Sequence, residues 1–208
     1  MLEIINLKNE IFGPVALEVN EGQSIVVRGA SGSGKTRFMR AIADLDEASG
    51  EIYLNGQDRK DLSAYEWRKR VRFVSADSNW WFETVEEHFD PEFELENNMR
   101  KLSLKPELMN WHVSKLSTGE RQRLAFLRAI ADEPQVLLLD EPTSALDENS
   151  TEKLEQMIES IKSNGTIIFI ASHHSEQVKK FGPNEIFFSN EAVEVNLSRP
   201  EKLKSSIK

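Results

Sequence analysis

Gly29-Ala-Ser-Gly-Ser-Gly-Lys-Thr36 stands between a short apolar run, Ser24-Ile-Val-Val-Arg28, and a segment from Lys35 to Leu45 with Phe38, Met39, Ala41, Ile42 and Leu45 at helical spacing. The loop therefore joins a strand to a helix. Its glycines let the backbone fold around an anion with the N–H groups turned inward, and the following helix adds its positive end. Lys35 is placed to reach terminal phosphates and Thr36 to set a hydroxyl on Mg²⁺, in the pattern G-x-x-x-x-G-K-[ST]. A glycine-rich turn without a ligand is the bland alternative.

Outward from this loop, strands and helices alternate. Val15-Ala-Leu-Glu-Val-Asn20 alternates toward a turn at Glu21-Gly22, and Gly50-Glu-Ile-Tyr-Leu-Asn-Gly56 and Val71-Arg-Phe-Val-Ser75 read as further strands. From about Asn79 to Pro134 the signals are mostly helical, broken at Pro91 and Pro106, which predicts a short inserted helical subdomain over about 79–133. Val136-Leu-Leu-Leu139 is apolar throughout, as expected of a parallel strand buried on both faces. Leu154, Met157, Ile158 and Ile161 then mark one face of a helix, closed by Asn164-Gly165 before the strand Thr166-Ile-Ile-Phe-Ile-Ala171. The predicted fold is α/β: a mostly parallel core sheet preceded by an N-terminal antiparallel β subdomain, in one domain over 1–208 with a polar tail from about 198 to 208.

Composition narrows the function. The chain has 208 residues and a net charge of −9, which is no footprint for nucleic acid. It has no cysteine, so disulfides and thiolate metal sites are excluded. No run approaches the roughly 18 apolar residues of a membrane span, so a membrane role is expected to come through a partner.

Leu137-Leu-Leu-Asp-Glu-Pro-Thr143 supplies what the glycine-rich loop lacks. Asp140, at the end of a buried strand, suits Mg²⁺, and Glu141 is placed to polarise an attacking water. The alternative is a pair of acids that merely cap a helix.

A second helix start, Leu116-Ser-Thr-Gly-Glu120, resembles the L-S-G-G-Q signature of the ATP-binding cassette (ABC) ATPases, Ser144-Ala-Leu-Asp147 resembles their D-loop, and His173 falls where their switch histidine stands. With the two motifs above, the match runs in order from about residue 12 to about residue 190. The resemblance implies ATP contacts from Gly29, Ala30, Ser31, Gly32, Ser33, Gly34, Lys35, Thr36 and Arg37. It implies Mg²⁺ on Thr36 and Asp140, water activation by Glu141, and γ-phosphate contacts from Lys35 and His173. A surface histidine is the other reading of His173, since His174 is adjacent. Phe12 is the candidate to stack on adenine, with a core position the equal alternative. Ser117, Thr118, Gly119 and Glu120 are implied to face ATP held by a second cassette packed head to tail, the simplest being an identical chain, and Asp147 is implied to be the D-loop aspartate.

Two departures stand out. Thr118 replaces the first signature glycine and Glu120 its glutamine. After Val71–Ser75, where the family has a glutamine that contacts Mg²⁺ and senses the membrane partner, Ala76-Asp-Ser-Asn-Trp-Trp81 has none, unless Asp77 or Ser78 substitutes. Trp80 and Trp81 then stand near where the family receives a short helix of its membrane subunit, as anchors or as residues buried against the helical subdomain. The resemblance implies an ATP-hydrolysing subunit on the inner face of the cell membrane, bound to a permease on a separate chain. A soluble ABC ATPase of DNA repair or the ribosome, and a weakly hydrolysing regulatory module, are the competing readings.

Overall fold

The computed structural model describes residues 1–75, 77–172, 180–189 and 192–197. In chain order the elements are β1 (Leu2–Lys8), β2 (Val15–Val19), β3 (Ser24–Gly29), α1 (Lys35–Ile42), β4 (Ser49–Leu54), β5 (Gln57–Asp58), α2 (Ala64–Arg70) and β6 (Val71–Val74). They continue with α3 (Leu95–Lys101), α4 (Thr118–Ile130), β7 (Val136–Asp140), α5 (Glu148–Ser163), β8 (Ile167–Ala171), β9 (Glu185–Phe188) and β10 (Val193–Asn196). Two sheets result. An antiparallel sheet runs β2-β1-β4-β5, and a second runs β10-β9-β3-β8-β7-β6, parallel except for the β9–β10 edge pair.

Burial follows this division. β2 alternates buried and exposed residues, as a sheet with one solvated face requires, whereas every residue of β7 and β8 is buried. Successive side chains of the parallel strands point to opposite faces. Ile25, Val27, Leu138 and Phe169 join α1 and the antiparallel sheet in one core, while Val26, Leu137, Leu139, Ile168 and Ile170 join α4 and α5 in the other. Trp67 of α2 is fully buried, and its indole donates to the carbonyl of Ile42, which locks the far end of α1. In this frame β3 lies between β8 and β9, and the C-terminal ends of β3, β7 and β8 open on one edge.

The predicted helical subdomain is corrected in part. Within 79–133, α-helix forms only at α3 and α4; the rest is loop with 3-10 turns at Glu86–His88, Pro106–Asn110 and Val113–Lys115. Proline explains the breaks at 91 and 106. The stretch before α3 is rich in carboxylates and aromatic residues, which favour helix poorly when like charges fall three or four apart. Residues 83–85 instead lie beside 111–113, with Val113 N donating to Glu83 O at 2.9 Å and Val85 N to Trp111 O at 3.2 Å.

Candidate functional site

The glycine-rich loop leaves the end of β3 with backbone that only glycine adopts easily: Gly29, Gly32 and Gly34 have φ of 140°, 79° and 106°. At Gly29 the constraint is also steric, since a Cβ would lie 2.2 Å from the carbonyl oxygen of Phe188 on β9. Helices α2, α4 and α5 are capped by the side chains of Ser63, Ser117 and Asp147, but the N-cap of α1 is Gly34, with no side chain to accept from the first turn. Those first-turn N–H groups are therefore available to a bound anion. Lys35 is buried, and its ammonium donates to the carbonyls of Gly29 at 2.9 Å and Ala30 at 2.8 Å, so a cation is held inside the loop. Ser33 is buried in the same loop. Arg37 is turned aside toward Asp46, with Nη1 and Oδ2 2.9 Å apart.

Thr36 and Asp140 are 104 residues apart in sequence, yet the Thr36 hydroxyl donates to Asp140 Oδ2 at 2.7 Å. The parallel pairing that brings β7 beside β8, next to β3, makes this contact. One hydroxyl and one carboxylate, both oxygen donors, fit a small hard cation that takes its other ligands from phosphate and water. Among the described residues no cluster of three metal-ligating side chains exists, which such a cation does not need.

Glu141 follows Asp140 with φ of 50°, a left-handed backbone uncommon for a residue other than glycine. Its N–H donates to Ala171 O at 3.0 Å, and its carbonyl accepts from Gln122 Nε2 at 2.8 Å and Ser144 Oγ at 3.1 Å. These bonds hold a conformation that costs on the order of 1–2 kcal/mol. Gln122 was not singled out by the sequence reading, although it fastens the second helix start to this corner. Its Oε1 also accepts from Ala145 N at 3.3 Å, and the residue is 3% exposed. A buried polar side chain inside a helical apolar pattern was the available signal.

At that second helix start Ser117 and Glu120 form a capping box: Ser117 Oγ accepts from Glu120 N at 3.2 Å, and Glu120 Oε2 accepts from Ser117 N at 2.9 Å. Thr118 opens the helix with ordinary geometry. Gly119 has a steric reason, since a Cβ there would lie 2.8 Å from Ala145 O and 3.3 Å from Leu146 Cδ2. Asp147 caps α5 by accepting from Ser150 N at 2.7 Å, and that backbone bond, with the Ser150 hydroxyl, holds its carboxyl below the usual range.

Phe12 corrects one expectation. It is 6% exposed, with its ring edge-on to Phe38 and Phe188 at 5.6 and 6.3 Å, so it is a core residue. Its neighbour Ile11 is the exposed apolar side chain there, 3.3 Å from where a Gly34 Cβ would stand, on the rim of a cleft of about 1180 Å³ that also borders Arg37. His173, His174, Ala76 and the tail from 198 to 208 lie outside the described residues. Beside Ala76, Ser78 Oγ donates to Ser75 O at 3.0 Å and Asp77 N to Ser75 Oγ at 3.3 Å.

The two tryptophans differ in exposure. Trp80 is half-buried, while Trp81 and Phe82 are 64% and 50% exposed. The His88 ring lies 4.8, 5.0 and 5.1 Å from the rings of Trp80, Trp81 and Phe82, and its Nε2 accepts from the N–H groups of Trp81 at 3.1 Å and Phe82 at 3.0 Å. Only a neutral imidazole can accept those bonds. Burial pushes His88 below its ordinary 6.5, helped by the Arg128 charge and opposed by its bonds to Thr84 and Val85 and by Glu87. The unfolded chain takes up the proton first as pH falls through 6.5, so this contribution to stability is complete above 6.5 and is lost as pH falls toward the lower folded value. Melting temperature is therefore expected to drop between about pH 7.5 and 5.5, and to drop less in His88→Gln, whose amide oxygen can accept without titrating. Equal pH slopes for the two proteins would refute this.

The family profile described as ABC transporter matches residues 12–144. A phosphate import ATP-binding protein of Thermotoga maritima is 30% identical over 209 residues, covering 89% of this chain and 83% of that protein. An L-cystine import ATP-binding protein of Bacillus subtilis is 31% identical over 230 residues, covering 98% and 87%. Among solved structures, a dimeric ATP-binding cassette in a post-hydrolysis state with ADP and Pi superposes with a TM-score of 0.79 at 26% identity, covering 99% of this chain and all of that one.

Proposed function

The chain belongs to the ABC transporter family, and from that premise we propose that it is the ATP-binding and ATP-hydrolysing subunit that powers transport through a membrane permease on a separate chain, working as a head-to-tail dimer of cassettes. The observation that carries this reading is the convergence of the Lys35 loop, the Thr36–Asp140 pair and Glu141 at one sheet edge. Lys35 and the first turn of α1 take the phosphates. Thr36 and Asp140 hold Mg²⁺, which when bound neutralises charge on the phosphate oxygens. Glu141 receives the proton of the attacking water, as ATP and water become ADP and phosphate. His173 is assigned to the γ-phosphate.

Ser117, Gly119 and the N-terminus of α4 are assigned to ATP bound by the partner cassette, which explains why one chain carries two phosphate-directed helix starts. We assign the chain to the inner face of the membrane, reached through the permease, by analogy with the import subunits it resembles; no helix among the described residues is long and apolar enough to cross a bilayer. The homologous import subunits support this reading.

The test is affinity capture of the tagged Glu141→Gln chain with Mg-ATP from detergent-solubilised native membranes, read by mass spectrometry. A polytopic membrane protein is expected in near-equal amount. Recovery of only soluble partners or ribosomes would refute the transport reading.

A further inference from the structure

Gln122 fastens α4 to the Glu141 corner, and the next residue along the helix, Arg123, makes a different set of bonds. Its Nε donates to Gly119 O at 3.2 Å, while Nη1 donates to Leu102 O at 2.8 Å and to Ser150 Oγ at 3.0 Å. One half-buried guanidinium therefore joins three helices: the start of α4, the C-cap of α3 and the first turn of α5. Arg121 and Arg128 of the same helix each bond one loop carbonyl, of Val113 and Asn79, and tie α4 to no other helix that way. Each acceptor of Arg123 has a physical reason. Leu102 ends α3, where the last carbonyls lack partners in their own helix and favour a cation. Ser150 is 4% exposed, so its hydroxyl needs partners inside the protein. It accepts from Arg123 and bonds the Asp147 carboxylate in turn. Burial pulls Arg123 below its ordinary range, and Asp147 and Glu120 push it back up. Those two carboxylates cap α5 and α4, so a guanidinium that keeps its proton stands between both caps.

The placement of these bonds decides which nucleotide they serve. None of the three acceptors belongs to the Lys35 loop, to Asp140 or to Glu141, which are assigned to the chain's own ATP. Gly119 belongs to the helix start assigned to ATP on the partner cassette. A helix start presents its N–H groups to an anion at a distance set by where the helix is pinned, and a misplacement of about 1 Å can cost a reaction on the order of a hundredfold. The planar fork of an arginine can hold several acceptors at fixed angles, which an ammonium on a flexible stem does not. We propose that Arg123 is a positioning residue for the ATP held by the other chain: it pins the start of α4 against the end of α3 and the Ser150–Asp147 cap, so that the α4 N–H groups meet the partner's phosphates in one fixed place. This deepens the shared-site reading and rests on it.

The experiment measures the ATPase rate of equal mixtures of full-chain variants. Arg123→Met keeps an unbranched stem and removes every donor. Alone, it is expected to lower the rate by about ten- to a hundredfold, while the chain's own ATP affinity, by isothermal titration, stays within a few-fold of wild type. Mixed with Lys35→Ala, it should return to about a quarter of the wild-type rate, because in half the dimers the intact loop of the Arg123→Met chain meets the intact α4 of the Lys35→Ala chain. Mixed with Gly119→Val it should stay low, since both defects then lie at the same helix start and no site is whole. Ser150→Ala, which deletes one acceptor and no charge, is expected to slow the enzyme several-fold, and the double variant should be no slower than Arg123→Met alone, because both break one link.

A residue that merely supports the fold would leave both mixtures low. One that serves its own chain's ATP would reverse them, reviving the mixture with Gly119→Val and not the mixture with Lys35→Ala. Either result overturns the proposal, as do falls that multiply in the double variant. The mixture of Lys35→Ala with Gly119→Val separates the two levels. Activity there, with none in the mixture of Arg123→Met and Lys35→Ala, sinks the role of Arg123 alone, whereas a dead control sinks the shared site as well.

Discussion

Glu141→Gln is expected to lower the steady-state ATPase rate by roughly 10²- to 10⁴-fold, the range a positioned general base supplies, while leaving ATP affinity within a few-fold of wild type. The separation follows from where the residue sits. In the proposed site the phosphate contacts come from Lys35, the glycine-rich loop and the first turn of α1, none of which depends on the Glu141 side chain. The backbone at 141 is held by Ala171, Gln122 and Ser144 through main-chain atoms, and glutamine keeps the same length and the same strained φ. The substitution therefore removes the carboxylate's proton affinity and little else. A second consequence follows from the dimer: with hydrolysis blocked, the ATP-bound dimer should accumulate and be visible by size-exclusion chromatography with Mg-ATP. Rates within a few-fold of wild type would show that Glu141 is not the base, and would move the chain toward a regulatory role.

Much of this site could be read in the sequence because its parts are local. A glycine-rich loop between an apolar run and a helical pattern fixes its own geometry, and the apolar run ending in Asp140-Glu141 does the same. The fully buried β7 and β8 were legible because a parallel strand covered on both faces must be apolar throughout. What escaped depended on distant contacts. Phe12 was undecidable between ligand and core until Phe38 and Phe188 were placed around it. β9 and β10 are short strands whose identity comes from pairing, β9 between β3 and β10 and β10 at the sheet edge. The segment before α3 lies within the stretch whose signals are mostly helical, yet it is loop with one 3-10 turn. Its actual order comes from His88 and from pairing with 111–113, neither of which leaves a periodic trace. Gln122 was hidden for the same reason, since its three partners lie about twenty residues away on another element.

The proposed head-to-tail arrangement makes the second large prediction, which concerns a mixture. Lys35→Ala removes the ammonium that the glycine-rich loop holds, and Gly119→Val drives a side chain into the carbonyl of Ala145, displacing the start of α4 from the corner that Gln122 fastens. Each variant alone is expected to lose on the order of 10²-fold or more in ATPase rate, as when a charge-stabilising donor is removed from a transition state. Mixed in equal amounts, they should recover activity. In a mixed dimer one site pairs the intact loop of the Gly119→Val chain with the intact helix start of the Lys35→Ala chain, while the other site is doubly damaged. Random pairing of two interchangeable chains puts half the dimers in that class, so about a quarter of all sites are whole. If Ser117 and Gly119 instead served ATP on their own chain, every chain in the mixture would carry a defect in its only site and no activity would return. The recovered rate should also rise with the square of total protein at low concentration, because the active species is assembled from two chains. A dead mixture, with both variants folded by circular dichroism and the Gly119→Val chain still binding ATP, would exclude the shared site.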